Sequence, residues 1–164
     1  MPVNPEEVFV WMLSDVRRGA EHSVRLFQEL SDLAHDEEIK EALGVRVFVA
    51  EEISKKLNEC FRLIGAQAVK LDGKLHEIFA EDFRRELSVI QSPDAKRLFI
   101  LAKAIQFLHL RMGEYAALIE AADLTGNYAV GMFLESCLAE EVAFVERTRR
   151  LIRKRVAQRL AAAA

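Results

Sequence analysis

The sequence predicts an all-α protein, with four long helices in two hairpins and one shorter helix in the crossover between them. Three observations carry that expectation. Of 164 residues, 51% are hydrophobic while only 7 are glycine and 3 proline, so helix breakers are scarce. Apolar residues recur at spacings of three and four over long stretches, and no strand-like alternation competes with them. The breakers that do occur fall between those stretches, where they can start or stop helices.

The elements follow in order. Asn4-Pro5-Glu6-Glu7 offers an N-cap, a proline at the first helical position and acids in the first turn. The helix it opens, about 5–35, carries Phe9, Leu13, Val16, Ala20, Val24, Phe27 and Leu30 on one face. Asp36 caps a second helix, 37–64, whose stripe runs through Ile39, Leu43, Val47, Ile53, Leu57 and Phe61 until Gly65 stops it. Residues 65–73, ending in Asp72-Gly73, make the long connection. A shorter helix, 74–90, presents Leu75, Ile78, Phe79, Phe83 and Leu87. Ser92-Pro93-Asp94 restarts the chain into a helix over 93–123, with Leu98, Leu101, Ile105, Leu108, His109, Met112, Ala116 and Ile119 inward. Thr125-Gly126-Asn127 breaks it, and the last helix, 128–160, shows Met132, Leu134, Leu138, Glu141, Val145, Thr148, Ile152 and Val156 on one face.

The length suits one domain, residues 1–164, which can bury a core without a disulfide or a metal. The composition excludes a disordered or collagenous chain. No run approaches 18 uncharged apolar residues, so no membrane span is expected. The first residues lack a basic stretch and carry Glu6, Glu7 and Asp15, which does not read as a signal peptide, and a cytoplasmic protein is the simplest reading. Cys60 and Cys137 stand alone among apolar neighbours and are expected as reduced core thiols.

Charge is unevenly spread. From Glu146 onward there are seven basic residues (Arg147, Arg149, Arg150, Arg153, Lys154, Arg155 and Arg159) and one acid, a local +6, which leaves −9 on the remainder of a chain whose net charge is −3. The run surrounds a narrow apolar line of Ile152, Val156 and Leu160 and suits the C-terminal end of a helix dipole. No aromatic residue follows Phe144, so the stretch 147–159 has no stacking platform and nucleic acid is not expected as a partner.

The informative positions are the polar groups that the helical period turns inward, because an unpaired buried charge is costly. Arg46, His109 and Glu141 are the clearest, with Arg111, Glu140, Glu21 and Glu52 at the stripe edges. Inward carboxylates and histidines are how helical bundles hold two iron or manganese ions, with a Glu-x-x-His pair on each of two helices. That pair occurs nowhere in this sequence. A lone inward histidine such as His109 is more often a hydrogen-bonded core residue than a ligand, Glu140 and Glu141 read first as one solvated acid beside one paired with an arginine, and Tyr115 and Trp11 as packing aromatics rather than redox residues.

Several segments together resemble the YciE/YciF family of ferritin-like bundles: Leu13-Ser14-Asp15-Val16, Asp36 through Leu43, Phe61 with Leu63-Ile64-Gly65, His109 with Tyr115, and Leu138-Ala139-Glu140-Glu141. The likeness spans nearly the whole chain in order and spacing. It implies a ferritin-like four-helix bundle with an additional short helix, and a di-metal site in those members that keep the ligands. Carried over by position, the first-helix glutamate falls on Ala20, beside Glu21. The second-helix histidine and glutamate fall on Arg46 and Val49, and two glutamates of the fourth helix on Leu108 and Arg111. His109, Glu140 and Glu141 keep the family's residue types.

Two guanidinium groups in that space would oppose divalent cations and pair with the surviving carboxylates. A buried cluster of Arg46, Arg111, Glu140 and Glu141, with His109 hydrogen-bonded to it, is therefore expected in place of a metal. The reading leans against an enzyme and expects no cofactor. Its rival is a di-iron or di-manganese protein oxidising iron or reducing peroxide, with ligands drawn from Glu21, Glu52, His109, Glu140 and Glu141; a third reading is a helical partner-binding module. A homodimer through an exposed apolar face is expected, with no identifiable small-molecule substrate.

Overall fold

Five helices follow one another in chain order: α1 Pro5–Leu33, α2 Glu37–Leu63, α3 Lys74–Val89, α4 Pro93–Leu124 and α5 Tyr128–Ala162. This computed structural model describes residues 2–71 and 74–162, without the side chains of Arg159, Leu160 and Ala162, and contains no strand among them. The expected Asp72-Gly73 turn, like the Arg159 and Leu160 side chains of the basic end, lies outside the described residues.

Local chemistry sets the helix ends. The Asn4 side chain accepts a hydrogen bond from the Glu7 amide at 2.8 Å, Asp36 from Ile39 at 3.2 Å, and Ser92 from Ala95 at 3.4 Å, each satisfying an amide that has no partner within its helix. Gly65 (φ 63°) and Gly126 (φ 71°) take the left-handed conformation that closes α2 and α4. Beyond them the amides of Ala66 and Asn127 return to the carbonyls of Phe61 and Ala122, at 3.2 and 2.8 Å.

α1 packs along α2 and α4 along α5, and the two hairpins meet through α1 against α4 and α2 against α5. The long helices thus form a ring in the order α1, α2, α5, α4. The shorter α3 lies on α1 and α4. Its approach is tied down by Arg18 of α1, which donates to the Leu71 carbonyl and lies 3.3 Å from Glu77, and by Ser14, whose hydroxyl accepts from the Val69 amide at 2.9 Å.

The faces differ from expectation in three helices. α4 buries Ile100, Leu101, Ala104, Phe107, Leu108, Arg111, Tyr115, Leu118 and Ala122, a stripe rotated from the expected one; Leu98 and His109 are exposed. α4 is apolar on several sides and α3 also packs on it, with Phe79 tilted against Phe107 at 5.2 Å, so the period alone does not select the ring-facing side. In α5, Met132 is exposed and Val130, Cys137 and Phe144 are buried. In α3, Leu75 and Ile78 are exposed whereas His76 is buried with Phe83.

The core has two halves. One gathers around Leu13, Val16, Ile53, Leu57, Tyr115 and Leu134, and the other around Phe27, Leu30, Leu43, Phe107, Leu108 and Phe144. No helix among the described residues is long and apolar enough to cross a membrane.

Candidate functional site

The two halves of the core meet at a polar layer. On α2, Arg46 lies between Leu43 of one half and Ile53 of the other; on α4, Arg111 lies between Leu108 and Tyr115; on α5, Glu141 lies between Cys137 and Phe144. All three are buried, with Arg46 and Glu141 1% exposed and Arg111 0%. Each occupies the ring-facing stripe because it stands three or four residues from apolar neighbours on both sides.

Arg46 Nη2 donates to Glu141 Oε1 at 2.5 Å. The rest of its guanidinium has aromatic neighbours, with Cζ 5.1 Å from the centre of the Phe27 ring and 5.8 Å from that of Phe144. Arg111 Nη2 donates to the Val16 carbonyl of α1 at 2.8 Å and to the Tyr115 hydroxyl at 2.9 Å, and Nη1 pairs with Glu114. Its Cζ stands 5.0 Å over the Tyr115 ring.

Burial pushes the Glu141 carboxyl above the ordinary range, while Arg46 and Arg111 pull it back. Burial alone would lower the Arg111 guanidinium, but Tyr115, Glu114 and Glu141 outweigh it and hold its pKa above the usual value. The Tyr115 hydroxyl is raised, chiefly by burial, and stays neutral as an acceptor for Arg111. The layer is therefore charge-matched: two fixed cations face the carboxylates of Glu141 and Glu114.

On its α3 side the layer ends at His76, a residue that no sequence pattern singled out. Its Nε2 lies 2.9 Å from Glu114 Oε1, out of hydrogen-bond alignment. Its ring stacks on His22 of α1 at 5.8 Å between centres. The His22 imidazole is held below its ordinary pKa by burial first, then by His76 and Arg18. Gly19 of α1 completes the packing, since a Cβ there would stand 2.8 Å from Arg111 Cζ and 2.9 Å from His76 Cε1. An isolated glycine inside a long helical pattern, here between Arg18 and Ala20, is the sequence signal for such a close approach, and Glu114, three residues after Arg111, is the signal for that pair.

The other expected site residues lie elsewhere. His109 is exposed, one residue and therefore about 100° around α4 from buried Leu108. The expectation that it faces the cluster is corrected. Glu140 is half-buried and pairs with Lys56 at the α2–α5 surface, not with Arg46 or Arg111. Glu21 is at the surface 3.4 Å from Arg17, and Glu52 pairs with Lys55 at 2.5 Å. Glu21, Glu52, His109 and Glu141 are thus not brought together. Ala20 is buried, Val49 half-buried and Leu108 buried, which makes those three positions apolar parts of the core.

Two divalent ions would need several anionic oxygens converging with room between them. Here Glu141 Oε1 and Glu114 Oε2 already accept from guanidinium groups, and among the described residues no three His, Cys, Asp or Glu side chains are placed to share an ion. The residues present do not fit a di-metal centre.

The family model described as "Domain of unknown function (DUF892)" matches residues 4–161. Three solved structures share the fold. The stress protein YciF of Escherichia coli superposes with a TM-score of 0.89 at 16% identity, covering 95% of this chain and 99% of its own. YcfI of Rhodopseudomonas palustris, named for a proposed structural role, gives 0.85 at 16% identity, covering 90% and 94%. A protein of Xanthomonas campestris pv. campestris gives 0.77 at 19% identity, covering 98% and 99%. A search of curated protein sequences returns no significant match.

Proposed function

We propose, from the premise that this chain belongs to the DUF892 family, that it is a non-catalytic, metal-free member with a structural or stress-associated role in the cytoplasm. Its architecture reads as a ferritin-like four-helix bundle with one extra crossover helix, in which the ion site has been exchanged for a salt-bridged layer. The observation that carries this reading is the pair of buried guanidiniums, Arg46 on Glu141 at 2.5 Å and Arg111 on Glu114, Tyr115 and the Val16 carbonyl.

Arginine stays protonated at any physiological pH, so this positive charge cannot be titrated away to admit a cation. Of the two acids kept at the relatives' ligand positions, Glu141 is spent on the Arg46 guanidinium and Glu140 on the Lys56 ammonium, and the three apolar positions Ala20, Val49 and Leu108 supply no donor. The layer instead joins α1, α2, α4 and α5 at one level through charge-assisted contacts. Such a layer sets how the helices register more than how stable they are.

The stress association of Escherichia coli YciF and the structural role proposed for Rhodopseudomonas palustris YcfI agree in kind with a protein that works without chemistry. Aerobic oxidation of ferrous iron and consumption of hydrogen peroxide, followed with the purified chain present or absent, test the proposal. The same rates in both cases are expected. Turnover that rises in proportion to protein would establish the di-metal reading instead.

A further inference from the structure

α3 is the shortest of the five helices at 16 residues, and of the long helices it rests on α1 and α4 alone. Its buried side chains are His76 and Phe83. A unit held by so few buried groups can open while the rest of the fold stays closed. Three ion pairs add to its attachment: Arg18 with Glu77 at 3.3 Å, Arg84 with Glu29 at 2.7 Å and Lys103 with Glu86 at 2.5 Å. Among side-chain types, imidazole is the one whose ordinary titration falls between about pH 5 and 8. One of the two buried groups that hold α3 therefore belongs to the type that changes charge near neutrality.

His76 is 2% exposed, and its ring lies 5.8 Å from that of His22 on α1, nearly parallel to it at 14°. Both rings line a cleft of about 210 Å³ between α1 and α3, through which protons reach them. Each helix packed on the pair brings charge to it. α1 brings Arg18 and Arg25, α3 brings Glu77, 3.9 Å from His22 Nε2, and α4 brings Glu114, 2.9 Å from His76 Nε2. Glu114 also carries Arg111 on its other oxygen. Glu81 and Arg84 line the same cleft, and Arg84 is bound to Glu29. The two carboxylates nearest the rings thus answer three guanidiniums before any proton is added. One proton on the pair can be set against Glu114 or Glu77. A second would place two cations 5.8 Å apart where negative charge is already short.

We propose that α3 is an acid-released strap, which lifts from the α1–α4 seam below neutral pH while the ring of four long helices stays folded. Once α3 has left, His76 is in water and both rings take protons freely. The released form then binds one more proton than the docked form, so the equilibrium moves toward release as pH falls. The direction agrees with His22, whose pKa is lowered by burial first and by His76 next. A folded-state value below the unfolded one contributes stability above the ordinary imidazole range and loses it as pH falls through the folded value. Release bares Phe107, against which His76 and Phe79 pack at 5.8 and 5.2 Å, and parts Phe83 from Phe99. An apolar seam is thereby hidden at neutral pH and offered at acid pH. The inference stands apart from the metal reading, since neither histidine falls on a ligand position of the relatives.

Hydrogen exchange of the full chain at about pH 7.5 and about pH 5, read by mass spectrometry with labelling times scaled for the intrinsic pH dependence of amide exchange, tests it. Peptides from 74–89 are expected to lose protection by about tenfold at the lower pH, the effect of one proton over about one pH unit, while those from α2 and α5 keep theirs. His22→Gln, at a half-buried position, and His76→Gln each remove one ring of the pair. In both variants α3 is expected to show the same protection at the two pH values. Unchanged protection of α3 in the parent chain would overturn the proposal. So would an acid loss that persists in either variant, or one shared equally by α2 and α5, which is global unfolding and not release of a strap.

Discussion

The guanidinium of Arg111 fills the space in which Gly19 has no side chain. A Cβ at Gly19 would fall inside the contact distance of Arg111 Nη1 and stand 2.9 Å from His76 Cε1, so three helices converge on one missing methyl group. The guanidinium is held by the Val16 carbonyl, Tyr115 and Glu114 and is not free to swing aside. Gly19→Ala is therefore expected to lower stability by about 1–3 kcal/mol through overpacking, against the gain that alanine normally brings to a helix. Gly44 of α2 supplies the control: it is exposed, and nothing lies within 4 Å of the Cβ it lacks. Gly44→Ala is expected to raise stability by about 0.5–1 kcal/mol. Urea midpoints of the two variants moving in the same direction would contradict the packing argument.

The buried pair on α2 and α5 makes a second prediction. Removing one partner of a buried ion pair leaves an uncompensated charge and typically costs about 3–5 kcal/mol, whereas replacing both with apolar groups can be neutral or stabilising. Arg46→Met leaves Glu141 beside Arg111 alone, and Glu141→Met leaves Arg46 between Phe27 and Phe144 with no acceptor. Each single variant is expected to unfold at lower denaturant than the double variant. Additive losses in the double-mutant cycle would show that the two groups act separately.

The thiols make a third. Burial first, with other smaller influences, pushes Cys60 up to about 11 and Cys137 up to about 12. Both folded-state values exceed the ordinary thiol range, so their contribution to stability is complete below the unfolded pKa and is lost as pH rises through the folded values. Alkaline destabilisation is thus expected to begin near pH ~9 and to shrink in a Cys60→Ala/Cys137→Ala variant. At pH ~8 neither thiol should react with a disulfide reagent until denaturant unfolds the chain; rapid labelling of folded protein would count against this burial.

Helix ends were legible from sequence because caps and breakers are local. Asn4, Asp36, Ser92, Gly65 and Gly126 sit where the helices begin and end, and the observed ends lie within two residues of the expected ones. Faces were less legible. α1 and α2 each have one dominant stripe, whereas α4 is apolar around much of its circumference, so Leu108 and His109 compete for the interior and only packing decides between them. Arg46 and Glu141 could be recognised as inward because apolar residues flank them at helical spacing on both sides. His76 could not, since its burial depends on how α3 lies across α1 and α4, which no spacing within α3 encodes. Gly19 left a trace, as a helix-weakening residue in a long helix, but its partner stands 92 positions further along the chain.

The most direct test of the central claim is the metal content of the folded chain. Protein incubated with excess ferrous or manganous ion and then dialysed is expected to keep well under one ion per chain by elemental analysis, because Arg46 and Arg111 occupy the charge environment that two ions would require. Two ions retained per chain, the stoichiometry of a di-metal carboxylate centre, would contradict the account.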